Sequence, residues 1–306
     1  MKRFHRVVPA SLLVSVELLL LAGMGAAAPM DDRKPNATVI EKATGAKGAW
    51  SEQEGVFKVS VPRTDLSVTA AGVRMTPGLG LTTWAAFQVA GSQAMVMGDL
   101  VLTEAQVSPV MDTALANGLE VTALHNHFLG DSPKVMFMHI GGMGEEAKLA
   151  DAVGKVFSKI KESSASQPVS DAKIDPAATS LQPERIAEVL GYKGQLKDGV
   201  YKVVVGRKAS MHGTPVGSTM GVNTWAAFAG SEEQAVVDGD FAMFENEVQD
   251  VIKALRAAGI QVVAIHNHMV GEQPRVVFLH YWGVGPASGL AKGVRAALDH
   301  THDVAS

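Results

Sequence analysis

The sequence predicts an α+β protein built as two tandem copies of one α+β domain, each with a mixed or antiparallel sheet and a histidine-bearing β-hairpin. Three observations carry this. The stretch "ALHNHFLGDSPKVMFMH" (123–139) returns as "AIHNHMVGEQPRVVFLH" (264–280). Within each copy, runs of β-branched and alternating apolar residues give way to stretches of helical period. The self-similar unit spans roughly 120 residues, too long for a solenoid repeat and long enough for a small domain.

Aligning Trp84 with Trp225 fixes an offset of 141. It holds from "TWAAF" (83–87, 224–228) through "GD" (98–99, 239–240) and Glu104/Glu245 to His139/His280. Upstream, "GVFKVSVPR" (55–63) matches "GVYKVVVGR" (199–207) after a three-residue insertion in the first copy. The predicted organisation is a signal segment over 1–28, repeat one over 36–163, a Ser/Ala/Pro-rich linker over 164–179, and repeat two over 180–303.

Each element has a local reason. Ile40–Thr44 and Ile186–Leu190 read as short helices stopped by Gly45 and Gly191. "VFKVSV", "VYKVVV" and "TWAAFQVA" read as strands. "QAMVMGDLVL" and "QAVVDGDFAM" read as strands carrying an acid. In "ENEVQDVIKALRAAG", Val248, Val251, Ile252 and Leu255 share one helical face, and Gly259 is the stop. The counterpart helix after Glu104 contains Pro109, which suits a helix start or a kink. Helices over 145–160 and 287–299 close the repeats.

The N-terminus has the anatomy of a secretory signal: Lys2, Arg3 and Arg6, an apolar run from Val7 to Leu21, then small residues up to Ala28. Three readings stand: a cleaved signal, an uncleaved anchor of about 20 residues, or neither. The first predicts an extracytoplasmic protein without stable membrane association. Cleavage removes three basic residues and one acid, leaving 24 basic and 30 acidic side chains, a net charge near −6. Such a chain has no basic footprint for nucleic acid. It has no cysteine, so disulfides and thiolate zinc sites are excluded.

Any transition metal must therefore use His, Asp or Glu. Alternation in "QVVAIHNH" places Val262, Ala264, His266 and His268 on one face of a strand. "GEQP" turns the chain, and "RVVFLH" returns with His280 an even twelve residues after His268, hence on the same face of a regular hairpin. The same parity groups His125, His127 and His139. Three imidazoles on an otherwise apolar face need partners, and they cannot all be charged. A divalent transition metal, zinc first, satisfies them; the competing reading is three core histidines bonded to backbone. Asp99, Glu104, Asp240 and Glu245 are the candidate catalytic carboxylates, as acid–base partners, fourth ligands or orienting groups, against an N-cap or first-turn role. Repeat two, with Asp238 beside Asp240, His212 and an unbroken helix, is expected to hold the better-equipped site.

The doubled "TALHNHFLGDSPKVMFMHIGG" and "VAIHNHMVGEQPRVVFLHYWG", with "TWAAF" and "GD" before them, resemble the LppY/LpqO family of extracytoplasmic bacterial proteins over nearly all of the mature chain. The lipobox cysteine of its lipoprotein members has no counterpart here. The HxH, turn, His pattern is also distantly similar to acetolactate decarboxylase, whose three histidines hold zinc. That likeness implies ligand roles for the six hairpin histidines only, since the decarboxylase's catalytic Arg and Glu find no match. Together these readings give a metal-dependent hydrolase or lyase acting on a small oxo-acid or ester, or else a non-enzymatic metal- or ligand-binding protein of the cell envelope.

Overall fold

The computed structural model describes residues 33–163 and 173–302. The predicted signal segment and most of the linker lie outside the described residues. Repeat one runs α1 (Ala37–Thr44), β1 (Gly48–Ser51), β2 (Val56–Pro62), β3 (Thr69–Ala70), β4 (Val73–Arg74), β5 (Thr82–Ala90), β6 (Gln93–Thr103), α2 (Glu104–Ala116), β7 (Glu120–His125), β8 (Asp131–Ser132), β9 (Val135–Gly144) and α3 (Glu146–Glu162). Repeat two runs α4 (Pro183–Leu190), β10 (Gln195–Lys197), β11 (Val200–Gly206), β12 (Ala209–Met211), β13 (Thr214–Val216), β14 (Asn223–Gly230), β15 (Ala235–Phe244), α5 (Val248–Ala257), β16 (Gln261–His266), β17 (Val276–Gly285) and α6 (Ala287–Leu298). The α+β class and the tandem repeat are both present. No helix among the described residues is long and apolar enough to cross a membrane.

The two repeats share one antiparallel sheet of twelve strands, ordered β1-β2-β5-β6-β9-β7-β16-β17-β15-β14-β11-β10. One face carries the helices. Val96, Leu100, Met138 and Ile140 from the first half and Val237, Phe241, Leu279 and Tyr281 from the second join the helices in one continuous core. Alternation puts the intervening residues on the opposite face. There the segments between β2 and β5, and between β11 and β14, cover two smaller apolar clusters. One is built on Val68, Leu81, Val101 and Phe137, the other on Ala209, Val222, Ala242 and Phe278.

Helix ends follow the sequence. Gly45 and Gly191 take left-handed C-cap positions at φ 64° and 75°, where a side chain would be strained. Helix α2 accommodates Pro109 internally. Helix α5 begins at Val248, later than the pattern from Glu245 suggested, because Glu247 folds back to accept the Phe244 N–H.

The join between the halves is narrow. Strands β7 and β16 meet antiparallel at Leu124 and Ile265. Beside that bridge the Gln249 amide accepts from Val121 N (3.0 Å) and donates to Val121 O (2.9 Å). The Arg256 guanidinium grips Asp112 through two nitrogens at 2.8 and 3.0 Å.

Candidate metal centre

Each site is assembled by three neighbouring strands. In repeat two, β14, β15, β17 and β16 align Trp225, Asp240, His280 and Ala264 in one cross-strand row. His266 lies two pairs along, opposite Phe278, and His268 follows just past the end of β16. Repeat one aligns Trp84, Asp99, His139 and Ala123, with His125 opposite Phe137. All three histidines of each copy therefore lie on one face, as their even spacing predicts.

A bulge lies between Val262 and Ala264, and another between Val121 and Ala123. The extra residue reverses the alternation. Val262 therefore joins Ile265 in the helix-side core, while Ala264 and His266 face the other way. Alternation alone could not reveal this.

Two local devices hold the hairpin and the aspartate. The turn acid Glu272 accepts the Val276 N–H at 3.0 Å, and Asp131 accepts the Val135 N–H at 2.8 Å in the first copy. Gly239, preceding Asp240, lies under the Tyr281 ring: a Cβ there would stand 2.1 Å from Tyr281 Cζ. Tyr281 donates its O–H to Trp225 O at 3.0 Å, pinning β14 against β17 on the side away from the histidines.

The imidazoles cluster tightly. Ring centroids of His266 lie 5.1 Å from His268 and 4.5 Å from His280, and those of His125 lie 5.2 Å from His127 and 5.1 Å from His139. Phe278 and Phe137 stack at 3.4 Å on His268 and His127, fixing the rings beyond the strand ends. Asp240, 3% exposed, lies beneath. Its oxygens are 3.5 Å from His268 Nε2 and 3.9 Å from His280 Nδ1, and it accepts the Leu279 N–H at 3.2 Å. Asp99 lies 4.0 Å from His139 Nε2.

Burial holds His266 below the ordinary imidazole range, and nearby His280 pushes the same way. Burial likewise lowers His127. Burial raises Asp240 above the usual carboxylate range, although all three histidines pull it back. Weakened proton affinity at His266 and His127 favours the neutral imidazole that a bound cation requires. The buried atoms His266 Nε2 and Asp99 Oδ1 have no hydrogen-bond partner, an arrangement that costs stability unless something binds there. One ligand atom each from Asp240, His266 and His268 lies within 4.8 Å of the others. That one group could hold a metal ion.

A pH dependence follows. His127 and His266 bind protons more weakly folded than unfolded, so the unfolded state gains protons first on acidification. Their contribution to the metal-free protein is complete above about pH 6.5, the unfolded imidazole value, and is lost as pH falls through the lower folded values. Melting temperatures from pH 8 to 5 should decline below about 6.5, and less steeply in a His127→Phe, His266→Phe double variant. An equal decline in both proteins would refute this.

Glu104 and Glu245 are not brought to the histidines. They sit at the exposed ends of β6 and β15, 3.4 Å from Lys134 Nζ and 3.6 Å from Arg275 Nη1 respectively. Asp240 and Asp99 are five residues earlier, in mid-sheet, and a strand's length separates the two positions. Asp238 shares the Asp240 face but is exposed. His212 is exposed in the β12–β13 turn at φ 51°.

Three further groups frame the sites. Trp84 and Trp225 are the cross-strand partners of Asp99 and Asp240, with Lys58 and Lys202 ammonium groups 4.0 and 3.9 Å above their rings; the repeated "TWAAF" was the available signal. Asp131 and Glu272 were visible only as turn residues. Arg63 and Arg207, at the ends of the matched "GVFKVSVPR" and "GVYKVVVGR", are buried anchors. Arg207 pairs with Glu247 at 2.8 Å, whereas Arg63 pairs with Asp65 and reaches Gln106, the counterpart of Glu247.

The fold and site define a class: a tandem α+β protein whose repeats share one antiparallel sheet and present three histidines and an aspartate apiece on the same face. The chain belongs to the Domain of Unknown Function (DUF1259) family, which matches residues 38–159 and 184–300, once per repeat. No curated protein matches the chain. Among solved structures, it aligns with a trimeric bacterial microcompartment shell protein, PduB, at 12% identity over 83% of this chain and 89% of that one, with a TM-score of 0.20. It aligns with EtuB from Clostridium kluyveri at 13% identity over 82% and 90%, with a TM-score of 0.22.

Proposed function

We propose that this is an exported protein of the LppY/LpqO type whose histidine triads, His125/His127/His139 and His266/His268/His280, hold a divalent transition metal, zinc foremost, for hydrolysis or lyase chemistry on a small oxo-acid or ester. The observation that carries the reading is the buried, unpartnered His266 Nε2 beside the buried Asp240 carboxylate. A bound metal would polarise a substrate carbonyl or bring the pKa of a bound water to about 7. The chain supplies the rest. Phe278 fixes the His268 ring, Asp240 orients His268 and His280, and the burial-raised Asp240 carboxyl is suited to exchanging a proton at Oδ2. The His268 and His280 side chains remain 36% and 44% exposed, which leaves an approach for a small molecule.

The 4.8 Å grouping of Asp240 with His266 and His268 favours a second reading, in which Asp240 is a fourth protein ligand and the site sequesters metal without catalysis. X-ray absorption of the zinc-loaded protein separates the two. Three imidazoles plus an exchangeable oxygen support catalysis, and a carboxylate completing the shell supports sequestration.

Zinc added at a hundredfold excess over its dissociation constant should stabilise the fold by about 2.7 kcal/mol. Replacing His266 and His268 by alanine should remove one ion per chain and spare the other. Asp240→Asn keeps the acceptor for Leu279 and discards the buried charge. It should raise the melting temperature of metal-free protein at pH 7 while weakening zinc binding in repeat two about 10–100-fold. Protein that carries no metal on elemental analysis and gains nothing from zinc on heating would end both readings.

A further inference from the structure

The repeats are near-symmetric about the β7–β16 bridge, but the two sides of that bridge are finished differently. On one side Gln249 of α5 fills the gap, and its carboxamide takes both the N–H and the C=O of Val121. Val121 can offer both groups because its pairing with Ile140 turns them away from β9. On the other side, Val262 has the same bulge and pairs in the same manner with Tyr281, so its N–H and C=O point into the matching gap. The residue of α2 that corresponds to Gln249 is Ser108. Its hydroxymethyl is too short to span both groups. Among the described residues, no side chain takes up the Val262 N–H or C=O as Gln249 does for Val121. In place of an amide the structure has a cavity of about 310 Å³ lined by Ser108, Leu124, Met136 and Val262, with Glu104 and Lys134 at its rim.

We propose that this cavity binds a small molecule through a primary carboxamide, which accepts from Val262 N–H and donates to Val262 C=O as Gln249 does for Val121. Buried backbone groups of this kind are paired in folded proteins, and a carboxamide presents one acceptor and one donor at the required spacing. Leu124 and Met136 supply an apolar wall for a short aliphatic chain. The Glu104–Lys134 pair at 3.4 Å marks the polar end, where the rest of the ligand meets solvent. The site lies on the helix side of the sheet and is independent of the histidines.

The test is an amide-resolved NMR titration of the full chain with propionamide. Saturable shifts at Val262 and Ser108 are expected, and N,N-dimethylpropionamide, which lacks the N–H donors, should produce none. Ser108→Gln should install the missing carboxamide and abolish the response. Gln249→Ser should create a second response, at Val121. The proposal is overturned if propionamide gives no saturable shift, if the dimethyl analogue matches it, if folded Ser108→Gln protein still responds, or if folded Gln249→Ser protein gains no response at Val121.

Discussion

Gly239→Ala should destabilise the protein by about 3 kcal/mol, the upper part of the range for overpacking a core. The added methyl meets Tyr281 Cζ at 2.1 Å, Tyr281 Oη at 2.2 Å and Trp225 O at 2.5 Å. The first two atoms belong to a fully buried ring and the third to backbone, so nothing nearby is the free end of a flexible chain. The ring cannot retreat without losing its bond to Trp225 O and disturbing its packing on Phe241, 5.3 Å away between centroids. At about 2.1 cal/mol/K of unfolding entropy per residue, a loss of about 3 kcal/mol in a chain of this size corresponds to a fall in melting temperature of roughly 5 °C. Gly98→Ala is the control. There the methyl would meet Ile140 Cγ1 and Trp84 O, both at 2.9 Å; the backbone oxygen must still shift, but both overlaps are smaller than at Gly239, so a lower cost of about 1–2 kcal/mol is expected. Equal shifts for the two variants would show that Tyr281 imposes no special constraint.

Arg207→Ala should cost about 3–5 kcal/mol, because it strands a buried carboxylate. The Arg207 and Glu247 side chains are 3% and 1% exposed. Glu247 also accepts the N–H groups of Phe244 and His302, so it cannot swing out to water. Arg63→Ala in repeat one should cost less, about 1–3 kcal/mol from unpaired neutral groups and lost packing. Its ionic partner Asp65 is 46% exposed and can be solvated, and Gln106 replaces Glu247 with a neutral amide. Urea unfolding of both variants reads the difference directly. A larger loss for Arg63→Ala would contradict the account.

Much of this was legible in the sequence because it depends on parity and period. The constant offset exposed the repeat, and even spacing placed each histidine triad on one face. What escaped depends on geometry beyond the local pattern. A bulge adds one residue without altering composition, so Val262 was assigned to the wrong face. Asp240 and Glu245 are both acids of one strand-to-helix stretch. Only the finished sheet shows Asp240 beneath the histidines and Glu245 five positions away beside Arg275. The shared sheet itself was invisible, since nothing in "VTALHN" or "VVAIHN" distinguishes a free edge from one that meets its own copy. The two arginine anchors were quoted within matched strands, yet burial of a charge cannot be read from a strand pattern.

The strand order reads the same from either end once each strand of one repeat is exchanged for its counterpart in the other. The Leu124–Ile265 bridge is then an isologous contact, each copy offering the same edge, which is the geometry of a twofold homodimer. A lone repeat would leave that edge open, with unpaired backbone groups in search of another strand. Covalent linkage of two copies removes the concentration dependence of that pairing. It also frees the halves to diverge, so that Gln249 could seal one flank of the junction while Ser108 leaves the other unsealed.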